Sequence, residues 1–453
     1  MIDSHAHLND GRFDAGRGDV VGRAQAAGVG LMICPGTDLA GSREALDLAH
    51  RYDCVLAAAG MDRDSAALVN AGSLDELERL AADERCVAIG EIGLDYHYDT
   101  LPRGVQRAGF EAQIELANRL GLPVIVHCRD AFDDCLEILG RTRPRGVMHC
   151  FSGDAATALR CCELGMMISF AGPVTFKKAD GLREAARAVP AEHLLIETDS
   201  PYLAPAPQRG KRNEPAYLAH TAKFLAGVLG LSVEDVDRIT DINTRILFGL
   251  PVDTKAAIVY PIRDSLYVNL TNRCTNHCVF CPRSTNPRVK GHWLGMSEED
   301  EPGAEEIITA IGDPAKYDEI VFCGFGEPTL RLAVMLEAAK WVKARGGRTR
   351  VNTNGQCDLI AGKPAAPLMK GLIDTVSVSL NTADAAQYAE LCRPEYGERA
   401  HPAVIAFIKS AKENVAEVAV TALDYPGVDT AAVEKLAAEL GAVFRPRTYK
   451  HLG

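Results

Sequence analysis

Cys274, Cys278 and Cys281 stand in the stretch Leu270-Thr-Asn-Arg-Cys-Thr-Asn-His-Cys-Val-Phe-Cys-Pro-Arg283, directly after a short apolar run. The spacing C-x-x-x-C-x-x-C puts three thiolates on one tight loop, where they can hold three irons of a four-iron cluster. The fourth iron is then left without a protein ligand and is open to a substrate or cofactor that receives an electron. A zinc knuckle is the alternative, with His277 or a distant group as fourth ligand. A second set of metal-binding residue types is spread over the first half: His5, His7, Glu91, His127, His149 and Asp199. Four imidazoles and two carboxylates suit one or two divalent cations with a bridging water, provided that the fold brings them together.

The elements that would do so are legible as apolar runs. Eight punctuate the first 250 residues: Met1–Ser4, Gly30–Pro35, Val55–Gly60, Cys86–Gly90, Leu122–Val126, Gly146–Met148, Met166–Ala171 and Leu194–Glu197. Amphipathic helical patterns such as Leu39–Tyr52, Ser73–Asp83, Val105–Leu120 and Ala155–Leu164 lie between them. Strand and helix alternating eight times over this length predict an α/β fold, a (β/α)8 barrel of TIM type. In such a barrel the strand C-termini converge on one face. His5-Ala-His7 ends the first strand, the fourth runs into Glu91, and His127, His149 and Asp199 end the fifth, sixth and eighth. Alternation along an extended strand turns His5 and His7 to the same side. His50, His97, His193 and His220 are read as hydrogen-bonded structural histidines.

Pro251-Val-Asp-Thr-Lys255 is a breaker followed by polar residues, and the domain boundary is placed there: a first domain over 1–250, a linker over 251–255 and a second domain over 256–453. Beyond the linker the alternation returns six times. The candidate strands are Leu266–Leu270, Glu319–Phe322, Thr349–Asn352, Thr375–Leu380, Glu417–Thr421 and Ala442–Arg445. Six β-α units suit an open, partial (β/α)6 barrel.

The 453 residues are 47% hydrophobic and 24% charged, enough apolar content for two separate cores. No apolar run is long enough to span a bilayer, and Met1-Ile-Asp-Ser-His5 lacks a signal-peptide core, so a cytoplasmic protein without a membrane partner is expected. The 14 cysteines then point to metal ligands and buried thiols rather than disulfides. The formal net charge of −12 gives no general pull toward nucleic acid, so phosphate binding has to come from local metal and arginine. Arg129, Lys211 and Arg212 are the candidate phosphate contacts.

Residues 1–250 resemble the TatD family of metal-dependent hydrolases. The matching stretches are Asp3-Ser-His-Ala-His7, Gly90-Glu-Ile-Gly-Leu-Asp-Tyr96, Val126-His-Cys-Arg-Asp-Ala131, His149-Cys-Phe-Ser-Gly153, Ile196-Glu-Thr-Asp-Ser-Pro-Tyr-Leu203 and Arg209-Gly-Lys-Arg-Asn-Glu-Pro215. The resemblance implies that His5, His7, Glu91, His127, His149 and Asp199 bind two divalent ions (Mg, Mn or Zn). It implies that Glu91 bridges them, that Asp199 activates the attacking water, and that the substrate is a phosphodiester, typically DNA or a nucleotide. One position departs. Where family members carry Gly-x-His-Pro after the third strand, with that His near the substrate, this chain has Gly60-Met-Asp-Arg63. The departure bears on substrate choice and not on the metal ligands.

The cysteine motif resembles that of the radical S-adenosylmethionine (radical SAM) superfamily, and the motifs after it occur in the matching order. Phe322-Cys-Gly-Phe-Gly-Glu-Pro-Thr329 is similar to the Gly-Gly-Glu-Pro motif, and Val351-Asn-Thr-Asn-Gly355 and Ser377-Val-Ser-Leu-Asn-Thr382 end the next two strands. The resemblance implies a [4Fe–4S] cluster on Cys274, Cys278 and Cys281, with S-adenosyl-L-methionine held by Gly324, Gly326, Glu327, Asn354, Ser379 and Asn381. It also implies an electron donor such as flavodoxin or ferredoxin. The reading is therefore a bifunctional enzyme, a nuclease-type hydrolase joined to a radical SAM enzyme. The alternatives are a hydrolase of a small phosphoester or amide, or one barrel serving as a non-catalytic binding module.

Overall fold

A computed structural model of the chain describes residues 1–98 and 100–449. It divides into two compact units, Met1–Val252 and Asp253–Gly453. The first is built on eight parallel strands in sequential order: β1 (Ile2–Asp3), β2 (Leu31–Pro35), β3 (Val55–Ala59), β4 (Cys86–Asp95), β5 (Val124–Arg129), β6 (Gly146–Met148), β7 (Met166–Phe170) and β8 (Leu194–Ile196). The sheet curls into a nearly closed barrel. Its seam between β8 and β1 is held by the Ser4 N–H donating to the Ile196 carbonyl at 3.2 Å and by a lone parallel bridge between Ala6 and Ser200.

Strand alternation sorts the side chains into two layers. On β5, Val124, Val126 and Cys128 face the helices. Ile125 faces inward, where it joins Ile33, Leu56, Val87, Val147 and Leu195 in a small inner cluster. His127, two residues beyond Ile125, continues that inner face. The same period carries Val147 on β6 to His149. The last helix of the unit, Val233–Leu247, ends by packing Leu247 and Phe248 on the inner cluster.

On β4 the alternation is deliberately interrupted. Ile89 pairs with Val124 and Ile92 with Val126, so three steps on β4 match two on β5. One extra residue is accommodated, and both Ile89 and Ile92 lie in the outer core. Without the bulge Glu91 would share the outward face of Ile89; with it, Glu91 turns inside. Glycines make room for this. A Cβ on Gly90 would lie 2.6 Å from Ile125 Cβ, and one on Gly60 would lie 2.6 Å from the Gly90 carbonyl carbon.

The second unit has a seven-stranded sheet in the order β17-β16-β15-β14-β13-β10-β9. Its strands are β9 (Val259–Ile262), β10 (Ser265–Val268), β13 (Glu319–Phe322), β14 (Thr349–Thr353), β15 (Thr375–Ser379), β16 (Glu417–Leu423) and β17 (Val443–Arg447); a separate small hairpin is formed by β11 (Arg288–Val289) and β12 (His292–Trp293). Six strands are parallel, as the sequence predicts. The seventh, β9, runs antiparallel to β10 and was not legible. Its Val-Tyr-Pro-Ile is short, contains Pro261, and turns directly into β10 at Arg263-Asp264, so no helix separates it as a repeating unit. No single helix among the described residues is long and apolar enough to cross a membrane.

The bulge region supplies a stability test. Gly93 has φ +142°, and an added Cβ would lie 2.0 Å from the His127 carbonyl oxygen. Gly93→Ala should therefore cost about 3 kcal/mol in urea unfolding of the first unit. Gly104→Ala, with no atom within 4 Å of its added Cβ, should leave the midpoint unchanged or slightly raised.

Candidate metal centre and cysteine-loop site

The six residues of the first unit meet around the Glu91 carboxylate, which is 3% exposed. Its two oxygens face different histidine pairs. Oε2 lies 3.4 Å from both His5 Nε2 and His7 Nε2. Oε1 lies 3.2 Å from His127 Nδ1 and 3.3 Å from His149 Nε2. Within each pair the ring nitrogens are 3.1 Å apart. Asp199 joins the first pair, with Oδ1 at 3.5 Å from His7 Nε2 and 3.8 Å from His5 Nε2. At 3.1–3.8 Å, these separations match ligand atoms gathered about a central cation. His5, His7 and Asp199 form one such group, and His5, Glu91 and His149 another. The donor set of imidazole and carboxylate fits divalent ions, one on each side of Glu91.

His5 and His7 converge, though not because they lie in a strand: β1 stops at Asp3. The extended chain beyond it is held from both sides, by Ala6 N–H donating to the Ile33 carbonyl and His7 N–H to the Ser200 carbonyl. Asp3, fully buried, crosses the seam and accepts from Thr198 N–H at 2.9 Å and Thr198 Oγ1 at 2.6 Å. Asp199 follows, in a left-handed conformation at φ +53° that its N–H bond to the His5 carbonyl fixes. The loop after β8 is thus tied to the loop after β1.

Burial alone would raise the Glu91 carboxyl, but His149, His127 and His5 hold it well below the ordinary carboxylate range. Burial likewise opposes ionisation of Asp199, and its contact with His7 together with the charges of the other histidines overcomes it. Both carboxylates are therefore ionised. His5 is pushed down by burial and by the neighbouring His149 and His7.

Two residues of this centre went unassigned in the sequence. Asp95 accepts from His127 Nε2 at 3.0 Å, and Glu197 Oε1 lies 3.3 Å from His149 Nδ1 while accepting the Cys150 N–H at 2.6 Å. Each holds the far nitrogen of a candidate ligand and so fixes which nitrogen faces Glu91. Both stand within motifs quoted above, but a side chain behind a ligand leaves no spacing of its own. His5 lacks such a partner among the described residues, its Nδ1 being buried and unbonded. Its ring is instead held by stacking on His149 at 4.0 Å.

In the second unit the cysteine loop follows β10. Cys274 Sγ accepts from Asn276 N–H at 3.4 Å and lies 3.7 Å from Asn354 Nδ2. Cys278 sits opposite Cys392, because the loop pairs antiparallel with the end of the helix Ala385–Cys392: Asn276 bridges Pro394, and Val279 N–H donates to the Leu391 carbonyl. Asn381, at φ +64°, donates Nδ2–H to Cys392 Sγ at 3.4 Å. His277 is exposed, with Nε2 3.5 Å from Glu395 and Nδ1 3.4 Å from Arg283. Burial pushes the Cys274 thiol up to about 11, so binding of a metal there would release a proton.

The glycines of the next motif approach protein rather than open space. A Cβ on Gly324 would meet Asn269 Oδ1 at 2.3 Å, and one on Gly326 the Thr271 carbonyl oxygen at 2.2 Å. They seat the turn after β13 against the chain entering the cysteine loop. Glu327 is a brace. Its Oε1 accepts from Thr329 N–H, Thr329 Oγ1 and Thr353 Oγ1 at 2.7–3.0 Å, and its Oε2 from Asn354 N–H at 2.6 Å. Asn354 is in turn tied to Thr275 Oγ1 at 2.8 Å. Ser379 ends β15.

Residues 2–249 match the model of the TatD related DNase family. The chain belongs to that family. TatD relatives include an uncharacterized metal-dependent hydrolase YabD of Bacillus subtilis, 40% identical over 253 residues, covering 55% of this chain and 99% of that protein. The 3'-5' ssDNA/RNA exonuclease TatD of Klebsiella pneumoniae is 37% identical over 261 residues, 56% of this chain and 99% of its own length. Among solved structures, the TatD homologue YJJV of Escherichia coli is 31% identical, with TM-score 0.53 over 55% of this chain and 98% of its own. Residues 268–440 match the Radical SAM superfamily. The chain therefore joins a TatD-type metal-dependent hydrolase domain to a radical SAM domain, both of them enzyme classes.

Of the phosphate contacts expected in the TatD domain, Arg129 lies over the Tyr98 ring at 5.0 Å, Lys211 is exposed and bonds Gln208, and Arg212 donates to the Arg12 carbonyl. Arg63, in the departing segment, comes closer to the centre than any of these, with Nη1 at 3.7 Å from Glu91 Oε1.

The tie between Asp95 and His127 predicts that Asp95→Asn weakens divalent-ion binding about 10–100-fold while the fold is kept. Calorimetric titration of the apoprotein with manganese reads the loss, and circular dichroism checks the fold.

Proposed function

We propose that the TatD domain is a divalent-metal phosphodiesterase acting on single-stranded nucleic acid, and that the second domain is a radical SAM enzyme with a [4Fe–4S] cluster. The observation that carries the first part is the division of labour on Glu91, one carboxylate oxygen toward His5 and His7 and the other toward His127 and His149. When bound, two divalent ions in this cage acidify water and neutralise charge developing on phosphoryl oxygens. Glu91 holds the two halves of the ligand set at a fixed spacing. Asp199, ionised and beside His7, accepts the proton of the attacking water. His127 and His149 are kept in orientation by Asp95 and Glu197. The Klebsiella relative, named a 3'-5' ssDNA/RNA exonuclease, directs the substrate toward single strands. A cytoplasmic setting and a flavodoxin- or ferredoxin-type electron donor belong to the same reading.

The second part rests on the three cysteines following β10, with Asn354 against Cys274 and Asn381 against Cys392 at the ends of β14 and β15. Cys274, Cys278 and Cys281 would hold the cluster. The backbone of Gly324–Glu327 and the side chains of Asn354, Ser379 and Asn381 would receive S-adenosyl-L-methionine.

Two experiments test the proposal. Asp199→Asn should weaken manganese binding and, at manganese concentrations high enough to refill the site, still lower hydrolysis of a single-stranded oligonucleotide by at least about a hundredfold; undiminished hydrolysis would remove Asp199 from the reaction. After anaerobic reconstitution, wild-type protein should carry four irons and four sulfides per chain by the stoichiometry of the cluster, and form 5′-deoxyadenosine under dithionite. Cys278→Ala should lose both the iron and the product. A stoichiometric zinc ion with no iron uptake would overturn the cluster assignment.

A further inference from the structure

Arg63 occupies the segment where this chain departs from its TatD relatives, and its surroundings are unusual for an arginine. The side chain is 22% exposed and aims at the centre from the loop after β3. Nη1 stands 3.7 Å from Glu91 Oε1, and Nε stands 3.9 Å from Asp95 Oδ2 and 3.4 Å from Asp64 Oδ2. It makes no hydrogen bond among the described residues, although a guanidinium carries five N–H donors. An arginine that served only to neutralise Glu91 or Asp95 would close on them as a fork at about 2.8 Å. Arg63 stops a step short.

The loop holds it there. Gln113 clamps the Met61 peptide from both sides, its Oε1 accepting the Met61 N–H at 2.8 Å and its Nε2 donating to the Met61 carbonyl at 2.8 Å. Asp62 N–H donates to the Thr37 carbonyl at 2.9 Å. The Asp62 carboxylate accepts from Asp64 N–H at 3.0 Å and Ser65 N–H at 3.1 Å, closing a tight turn about Arg63. The side chain of the residue is thus presented from a fixed backbone. Once divalent ions lie against Glu91, that carboxylate is compensated, and Arg63 adds a positive charge with unspent donors at the rim of the His127–His149 side.

We infer that Arg63 is a substrate-binding residue of the hydrolase centre, whose guanidinium fork takes the anionic oxygens of a phosphate seated beside Glu91 and His127. The inference deepens the phosphodiesterase reading above and rests on it. In the relatives' Gly-x-His-Pro the histidine's place is taken here by Asp62 and the proline's by Arg63; a planar fork binding two phosphate oxygens is chemistry that neither of those residues supplies, so Arg63 sets affinity for the phosphate group rather than the metal set. The group is either the internal diester of the strand or a terminal phosphomonoester.

The test uses manganese-loaded full-length protein and inorganic phosphate as probe, with binding read by calorimetry and metal content by elemental analysis. Arg63→Ala should weaken phosphate binding about tenfold or more at unchanged manganese content, and Arg63→Lys should recover part of the loss. Arg63→Met, which keeps the apolar stem, replaces the alanine variant if that one does not fold. Wild-type protein that binds no phosphate, equal binding by wild type and variant, or loss of manganese in the variant overturns the inference. The last outcome would make Arg63 a support for the ligands. Oligonucleotides with a 3′-phosphate or a 3′-hydroxyl then separate the sources. A rise in KM for both in Arg63→Ala assigns the internal diester, a rise confined to the phosphorylated strand assigns the terminal group, and a rise in neither overturns the inference. If wild-type protein hydrolyses no diester, the phosphodiesterase reading fails, while the phosphate titration still decides the role of Arg63.

Discussion

A buried carboxylate is expensive unless charge or donors surround it, and Glu91 is surrounded by four histidines. Much of the first unit serves to put it there. The bulge in β4 turns it inward, glycines at 60, 90 and 93 let the bulged strand lie against β3 and β5, and β1, β5 and β6 lead into the imidazoles that face it. Removing Glu91 would leave those imidazoles crowded against one another at 3.1 Å within each pair. The ligand set is thus a mutually dependent group, preorganised at the mouth of a rigid barrel.

The groups behind the ligands matter as much as the ligands. Asp95 and Glu197 leave only one nitrogen of His127 and His149 facing Glu91. Asp3 and Thr198 do comparable work at the seam, where strand pairing has thinned to a single bridge. A barrel whose first strand is two residues long needs such a tie, because backbone pairing alone would leave His5 and Asp199 on loosely joined ends.

Glu327 in the second unit makes an instructive contrast. It too is buried, in the turn after β13, but its partners are hydroxyls and backbone N–H groups rather than imidazoles. Burial pushes its carboxyl up, against the pull of those donors, whereas the histidines drive Glu91 down. One carboxylate is left with its oxygens directed at candidate ligand atoms. The other is consumed in joining the turn after β13 to the end of β14, and through Asn354 to the cysteine loop. Residue type and burial are alike in the two cases; the neighbours decide the role.

Periodicity and residue type determined a good deal. The eight apolar runs of the first half and the six of the second mark the parallel strands, because a buried strand must be apolar and a helix must separate it from the next. Ligand-type residues at the ends of those runs marked the centre, since strand C-termini of a barrel converge. The spacing of Cys274, Cys278 and Cys281 marked the loop after β10 without any reference to folding. Other features had no local signal. The bulge that turns Glu91 inward depends on pairing with β5, β9 on pairing with β10, and the convergence of His5 and His7 on contacts with Ile33 and Ser200. Asp95 and Glu197 became visible only once the far nitrogens of two histidines were placed, and Arg63 only once its loop was seen to aim at Glu91. The sequence states which groups are available; distances between segments far apart along the chain are fixed by packing, and those distances decide which groups become ligands, braces or anchors.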